Sequence, residues 1–188
     1  SGGVHEIVVG AMQGSAEVRI FDFDTGVGGA NLRISFDAYS QNVAGVNLAV
    51  GDLDGDGRWE IVTAPVVGKP LIRAWNSDGT PFQVCDGDPE TCSALEIWAF
   101  DQSYEGGVKV AVADVDADGR NEIIVAPASS GIEATIKAFE MDGSEVSGWN
   151  TFMPFGPGNQ GGTVLVTTNR FFRRGAGAAV PISTSATK

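Results

Sequence analysis

The chain has 188 residues, 43% of them hydrophobic, and a formal net charge of -12. That length holds one domain with a real core, and that hydrophobic content excludes a disordered acidic chain. The acidic balance argues against nucleic acid and anionic membrane surfaces as partners, and no run of roughly 18 apolar residues suggests membrane insertion. It suits a soluble extracellular protein or one that binds cations. The opening SGGVHE reads as a processed or cloned beginning.

Short apolar runs broken by 26 glycines and 8 prolines, with no helical periodicity, predict an all-β protein. In chain order, HEIVVGAM (5–12), VRIFDFDTG (18–26) and LRISFD (32–37) read as three strands. Then GVNLAVGDLDGDGRWEIVTAP (45–65) recurs as GVKVAVADVDADGRNEIIVAP (107–127), an internal repeat. Each copy opens on an alternating strand, Val46, Leu48, Val50 or Val108, Val110, Val112. The positions between are mostly small (Ala49, Gly51, Ala111, Ala113), which predicts one crowded face. An acidic turn and a second strand, EIVTAP or EIIVAP, follow. LIRAWNSDG (71–79) and TIKAFEMDG (135–143) read as third strands closing on Asp-Gly turns, and LEIWAFD (95–101) as a fourth. Between the third and fourth lies VCDGDPETCSA. Cys85 and Cys92 in this polar loop suit a local disulfide and an oxidising compartment; the alternative is two free thiols. A metal site there lacks partners, because His5, the only histidine, is distant.

Four antiparallel strands per unit is the anatomy of a propeller blade. The chain therefore reads as a single partial β-propeller-type domain over 1–188, with about three blades, the first and last incomplete. Blade one spans 4–37 and lacks its innermost strand, Gly3 aligning with Gly57. Blade two spans 45–101 and blade three 107–155. GGTVLVTTN (161–169) repeats the innermost strand of GGVKVAVAD (106–114), so a terminal strand is expected at 162–168, before a tail at 170–188. Asn169, Phe171 and Arg173 stand there at ligand positions, so that last turn is not expected to bind a cation.

The acidic turns share the spacing D-x-D-x-D-G-x-x-E. Oxygen ligands at alternate positions around a tight glycine turn wrap a hard cation, and calcium accepts 6–8 oxygens in flexible geometry. The expected ligands are the carboxylates of Asp52, Asp54, Asp56 and Glu60 with the Arg58 carbonyl. In the second loop they are Asp114, Asp116, Asp118 and Glu122 with the Arg120 carbonyl. Two Ca2+ sites are expected. Magnesium demands stricter octahedral geometry, and an EF-hand needs a Glu at position twelve, where Thr63 and Val125 stand.

This strand–DxDxDG–strand–Ala-Pro pattern resembles the FG-GAP (VCBS-type) repeat of integrin α-chain propellers and many bacterial surface proteins. Ala64-Pro65 and Ala126-Pro127 match the end of the GAP motif, and Gly10-Ala11-Met12 is a weaker version. The resemblance implies structural calcium sites in blade loops on one face of a propeller. Glu60 and Glu122 depart from it, standing where the family usually has Asp.

Two functions follow as expectations. The first is a calcium-stabilised binding or adhesion module, or a structural part of a surface assembly, placed outside the cell or at its surface. Its partner is a protein or carbohydrate, further blades, or copies of itself joined by strand complementation. The second is a polysaccharide-active enzyme, lyase-like, in which a cleft joins Lys69, Arg73 or Lys137 to a carboxylate outside the calcium loops. No catalytic residues are assigned. Phe21, Trp75 and Phe139 fall at equivalent third-strand positions and are expected to pack between blades. Trp98 is expected in the core. Trp59 is expected to be exposed, over its own blade or under a sugar ring, and Trp149 is open to either role.

Overall fold

The computed structural model describes residues 5–24, 26, 28–40, 43–149 and 151–167. Gly3, Asn169, Phe171, Arg173 and the tail 170–188, all named in the expectations above, lie outside them. The described residues contain no helix; their strands form antiparallel sheets that do not close into a barrel.

Sheet one orders β1 (His5–Gly10), β2 (Glu17–Asp24) and β3 (Gly29–Asp37). Sheet two begins with β4 (Val46–Gly51), β5 (Glu60–Pro65) and β6 (Leu71–Trp75). A two-stranded ribbon of β7 (Gln83–Val84) and β8 (Ser93–Ala94) interrupts it before β9 (Glu96–Trp98) completes it beside β6. Sheet three orders β10 (Val108–Ala113), β11 (Glu122–Pro127) and β12 (Lys137–Phe139). The two copies of the repeat pair in the same register. Val46 faces Pro65 and Gly51 faces Glu60, as Val108 faces Pro127 and Ala113 faces Glu122.

The sheets stack face to face, and strand alternation explains how. β4 turns Val46, Leu48 and Val50 toward sheet one, where they meet Val18, Ile20 and Tyr39. Its other face carries Ala49 and Gly51, against which sheet three lays Val108, Val110 and Val112. A side chain at Gly51 would run into Val112, so the crowded face is the one covered by the next sheet's first strand. Central strands covered on both sides are apolar throughout, and every residue of β5 and β11 is buried. Trp75 packs on Phe36 of sheet one with ring centroids 4.8 Å apart, and Phe139 is buried against sheet two. Phe21, at the same strand position, is only half-buried, because among the described residues no sheet covers that face of sheet one.

The linker after β3 is pinned by Tyr39. Its hydroxyl lies 2.8 Å from the Thr63 carbonyl and 2.9 Å from the Leu71 carbonyl. The Trp75 indole N–H donates to the Thr63 hydroxyl at 2.9 Å. Burial pushes the Tyr39 phenol well above its ordinary range, so it stays protonated and structural.

Three expectations are corrected. The 107–155 unit has three strands, with isolated bridges Ile136–Phe152 and Phe139–Glu145 where a fourth was expected. Pro154, Pro157 and glycines 148, 156 and 158 deny that stretch a continuous ladder. The terminal strand expected at 162–168 is not formed over residues 161–167, which belong to no ladder; residue 168 lies outside the described residues. Trp98 is 40% exposed: on the edge strand β9, Ile97 takes the core side and Trp98 the opposite one. Trp149 packs against the outer core of sheet three, its ring 6.0 Å from Phe152.

Cys85 and Cys92 form a disulfide that staples the β7–β8 ribbon. No helix among the described residues is long and apolar enough to cross a membrane.

Candidate metal centre

Each acidic loop joins the first strand of its sheet to the second, β4 to β5 and β10 to β11. Both loops fold on their own carboxylates in the same way. Asp52 accepts from the backbone N–H groups of Gly55 and Gly57 at 2.7 and 2.9 Å. Asp114 accepts from those of Ala117 and Gly119 at 2.6 and 3.2 Å. Asp54 and Asp116 accept from the N–H two residues on, as do Asp56 and Asp118. Such Asx turns curl the chain so that successive carboxylates converge. Gly57 and Gly119 hold φ of 83° and 97°, left-handed values that a glycine adopts without strain.

The final Glu of each motif enters from the second strand and is buried. Glu60 is 4% exposed and Glu122 1%. One oxygen of each accepts a backbone N–H, from Leu53 at 2.8 Å and from Val115 at 2.6 Å. The other oxygen of Glu122, Oε1, is buried with no hydrogen-bond partner. Burial pushes both carboxyls up to about 7, and the neighbouring aspartates add to it.

Asp52, Asp54 and Glu60 bring oxygens within 4.8 Å of one another, as do Asp114, Asp116 and Glu122. Two oxygens on one calcium, each at 2.3–2.6 Å, lie no more than about 5 Å apart. Both clusters can therefore hold one hard cation. Asp56 and Asp118 stand outside these triads, turned to the backbone of Arg58 and Arg120. Among the described residues no ion pair supplies a counter-charge to either cluster; the basic side chains that pair do so with Glu6, Glu17, Asp22, Glu96 and Glu145.

The loops are also linked to each other. The Asn121 backbone N–H and side-chain amide both donate to the Asp52 carbonyl, at 3.2 and 2.8 Å. Both clusters thus lie at the same end of the stacked sheets. Two features escaped the sequence reading. Glu140 adds charge near the second loop, its carboxyl raised by burial and by Asp116 and Asp118; Asn76 holds the equivalent place in sheet two. Aligning the third strands of the two copies would have exposed that difference. The unpartnered Glu122 oxygen had no signal in sequence, since it depends on how deep the strand sits.

Trp59 occupies the loop position of Asn121 and is 63% exposed. It walls a groove of about 440 Å3 with Glu6, Val8, Ile20, Val50 and Ile61. A second groove, of about 380 Å3, brings together Tyr39, Lys69, Arg73, Trp98 and Glu105. Arg73 is committed there to Glu96 at 2.6 Å and to the Ala38 carbonyl at 3.1 Å. Lys137 lies apart, 3.1 Å from Glu145. Compared with known proteins, the chain matches no family model, no curated protein and no solved structure.

Proposed function

We propose that the chain is a calcium-stabilised extracellular binding module built of FG-GAP-type propeller blades, serving adhesion or the structure of a surface assembly. The observation behind it is the Glu122 Oε1 atom, buried without a partner beside Asp114 and Asp116. A buried carboxylate oxygen in a cluster of like charges is costly unless it takes up a proton or has a cation against it, and at neutral pH the cation keeps all three carboxylates ionised. All-oxygen donors and a flexible loop favour calcium. Asp56, Asp118 and the carbonyls of Arg58 and Arg120 would complete the two shells, directly or through water. The Cys85–Cys92 disulfide agrees with an oxidising, extracellular setting. The test is calorimetric titration with calcium alongside melting in calcium and in chelator. Two ions bound per chain and a higher melt in calcium are expected; an unchanged melt would overturn the assignment.

The second reading is a lyase working in the groove of Lys69, Arg73 and Glu105. It has a cationic cleft with a carboxylate outside the calcium loops in its favour. Against it, the Tyr39 hydroxyl lies between two backbone carbonyls and Arg73 is engaged by Glu96, so neither is available to the substrate, and Glu105 is left as the carboxylate to take a proton. Unsaturated uronate appearing by ultraviolet absorbance on incubation with acidic glycans would establish this reading; none is expected.

A further inference from the structure

Among the described residues, sheet one has an unpaired edge and an uncovered face. There β1 pairs with β2 alone, whereas the equivalent strands β5 and β11 are each flanked on both sides and wholly buried. On the outer face of sheet one, Ile7 is 45%, Val9 47% and Leu32 54% exposed. Their counterpart on sheet two, Ile61, is buried against its neighbouring sheet. The same gap shows on β4. Val50 is only half-buried, whereas Val112 at the equivalent position of β10 is 8% exposed. β10 presses on a sheet that has its first strand; β4 faces one in which no first strand is described. The groove walled by Val8, Ile20, Val50, Trp59 and Ile61 fills this gap.

A segment that repeats the first-strand sequence lies on sheet three, with no second strand beside it among the described residues. Residues 163–167 (TVLVT) sit on sheet three as β4 sits on sheet one. The Thr163 N–H donates to the Pro127 carbonyl at 3.1 Å, as the Val46 N–H donates to that of Ala11 at 2.7 Å. The Thr167 hydroxyl donates to the Val112 carbonyl, and Leu165 packs on the outer core of sheet three. Val164 and Val166, pointing the other way, are 89% and 77% exposed.

We propose that these surfaces join between two copies of the chain: residues 163–167 of one copy pair antiparallel with β1 of the other, in the place that β4 takes beside β5. This deepens the surface-assembly half of the proposed function and rests on reading the sheets as propeller blades, not on calcium. The β4–β5 register transfers directly, placing Leu165 against Val9, Val166 against Val8 and Thr167 against Ile7. In that register Val164 and Val166 enter the groove beside Val50 and Trp59. Ile7 and Val9 turn onto sheet three of the first copy. Ile7, Val9, Val164 and Val166 are thereby covered at once, by main-chain pairing of an open edge. Two copies exchanging strands reciprocally would bring six sheets together, within the four to eight blades of known propellers.

The test is cross-linking of mixed single variants. Val8→Cys and Val166→Cys chains, mixed and oxidised, should give a disulfide-linked pair on a non-reducing gel, and Val8→Cys with Val164→Cys should not. No cross-link from the mixture overturns the proposal. So does a double variant that cross-links only within one chain, which would show the strand closing on its own β1. Light scattering should give a two-copy mass. Val166→Lys, at a site too exposed to affect folding, should weaken association about tenfold or more, or 1.4 kcal/mol, and leave the monomer melt unchanged. A monomer at all concentrations refutes strand exchange. The melting shift with calcium is read separately, so failure of the metal reading and of the exchange are told apart.

Discussion

Glu122→Gln separates the burial of a charge from its use as a ligand. The parent carboxylate accepts the Val115 N–H at 2.6 Å through Oε2 and leaves Oε1 unpartnered. Gln keeps the first bond and places a neutral amide where it can donate to the Asp114 and Asp116 carboxylates. Burial raises the Glu122 carboxyl from its ordinary 4.5 to about 7. At 1.36 kcal/mol per unit, the ionised form is penalised by about 3 kcal/mol. That figure already contains the charged hydrogen bond from Val115, and burying the polar Gln amide gives back about 1 kcal/mol. In chelator the variant should therefore be about 2 kcal/mol more stable than the parent, a melting point roughly 4–8 °C higher for a chain of this size. The sign follows from the raised value. The parent's neutral-form stability is present below 4.5 and lost as pH rises through about 7, so the gap opens across that window. In calcium the order reverses. The parent gains about 2.7 kcal/mol per site at a hundredfold excess over Kd, and the variant gains less because it lost a charged ligand. Scanning calorimetry in chelator and in calcium should show the two melts crossing. A variant less stable than the parent in chelator, with an undiminished calcium shift, would refute both the buried charge and its role as ligand.

Ala117 holds φ of 68° where the first loop has Gly55, and it is the only non-glycine with positive φ among the described residues. Ala117→Gly should stabilise by about 1 kcal/mol and Gly55→Ala should destabilise by as much, read by denaturant melts in calcium. Tyr39→Phe removes the one hydroxyl proton that the Thr63 and Leu71 carbonyls share and should cost about 1–2 kcal/mol in the same melts, with no change in calcium stoichiometry. Gly51→Ala forces a methyl into the Val112 side chain and should cost about 1–3 kcal/mol. Adding Val112→Ala should restore part of that loss, and a purely additive double variant would mean the two residues do not press on each other.

Much of the sheet layout is legible in sequence because each strand answers to one local rule. Period-two alternation marks β4 and β10, the Ala-Pro pairs end β5 and β11, and the small residues on β4 announce the close approach of sheet three. Convergence of the aspartates is equally local, since it follows from turn chemistry within nine residues. What sequence alone misses is set by distant neighbours. Trp98 alternates like a core residue, but it sits on an edge strand with nothing laid over it. Phe21 repeats the position of Trp75 and Phe139, yet only those two have a sheet to pack against. The segment at 161–167 has the composition of a strand but hydrogen-bonds to sheet three only through Thr163 and Thr167 and joins no ladder among the described residues, because a ladder needs a partner strand and composition supplies none.

The loop position shared by Trp59 and Asn121 shows how a repeat adapts to its neighbour. In the second loop the slot meets another acidic loop, and a small amide there satisfies the Asp52 carbonyl while fixing the spacing of the two clusters. In the first loop the slot faces the groove beside β1, where apolar surface rather than a carbonyl has to be covered. The ring already lies along the apolar wall of that groove with Val8, Val50 and Ile61. The same backbone site is thus polar where it meets a carbonyl and aromatic where it meets apolar side chains. That contrast sets the acidic loops and the edge of sheet one at the same end of the stack: the end that carries the two carboxylate clusters also carries the exposed Trp59 ring, beside the groove into which the proposed exchange would place Val164 and Val166.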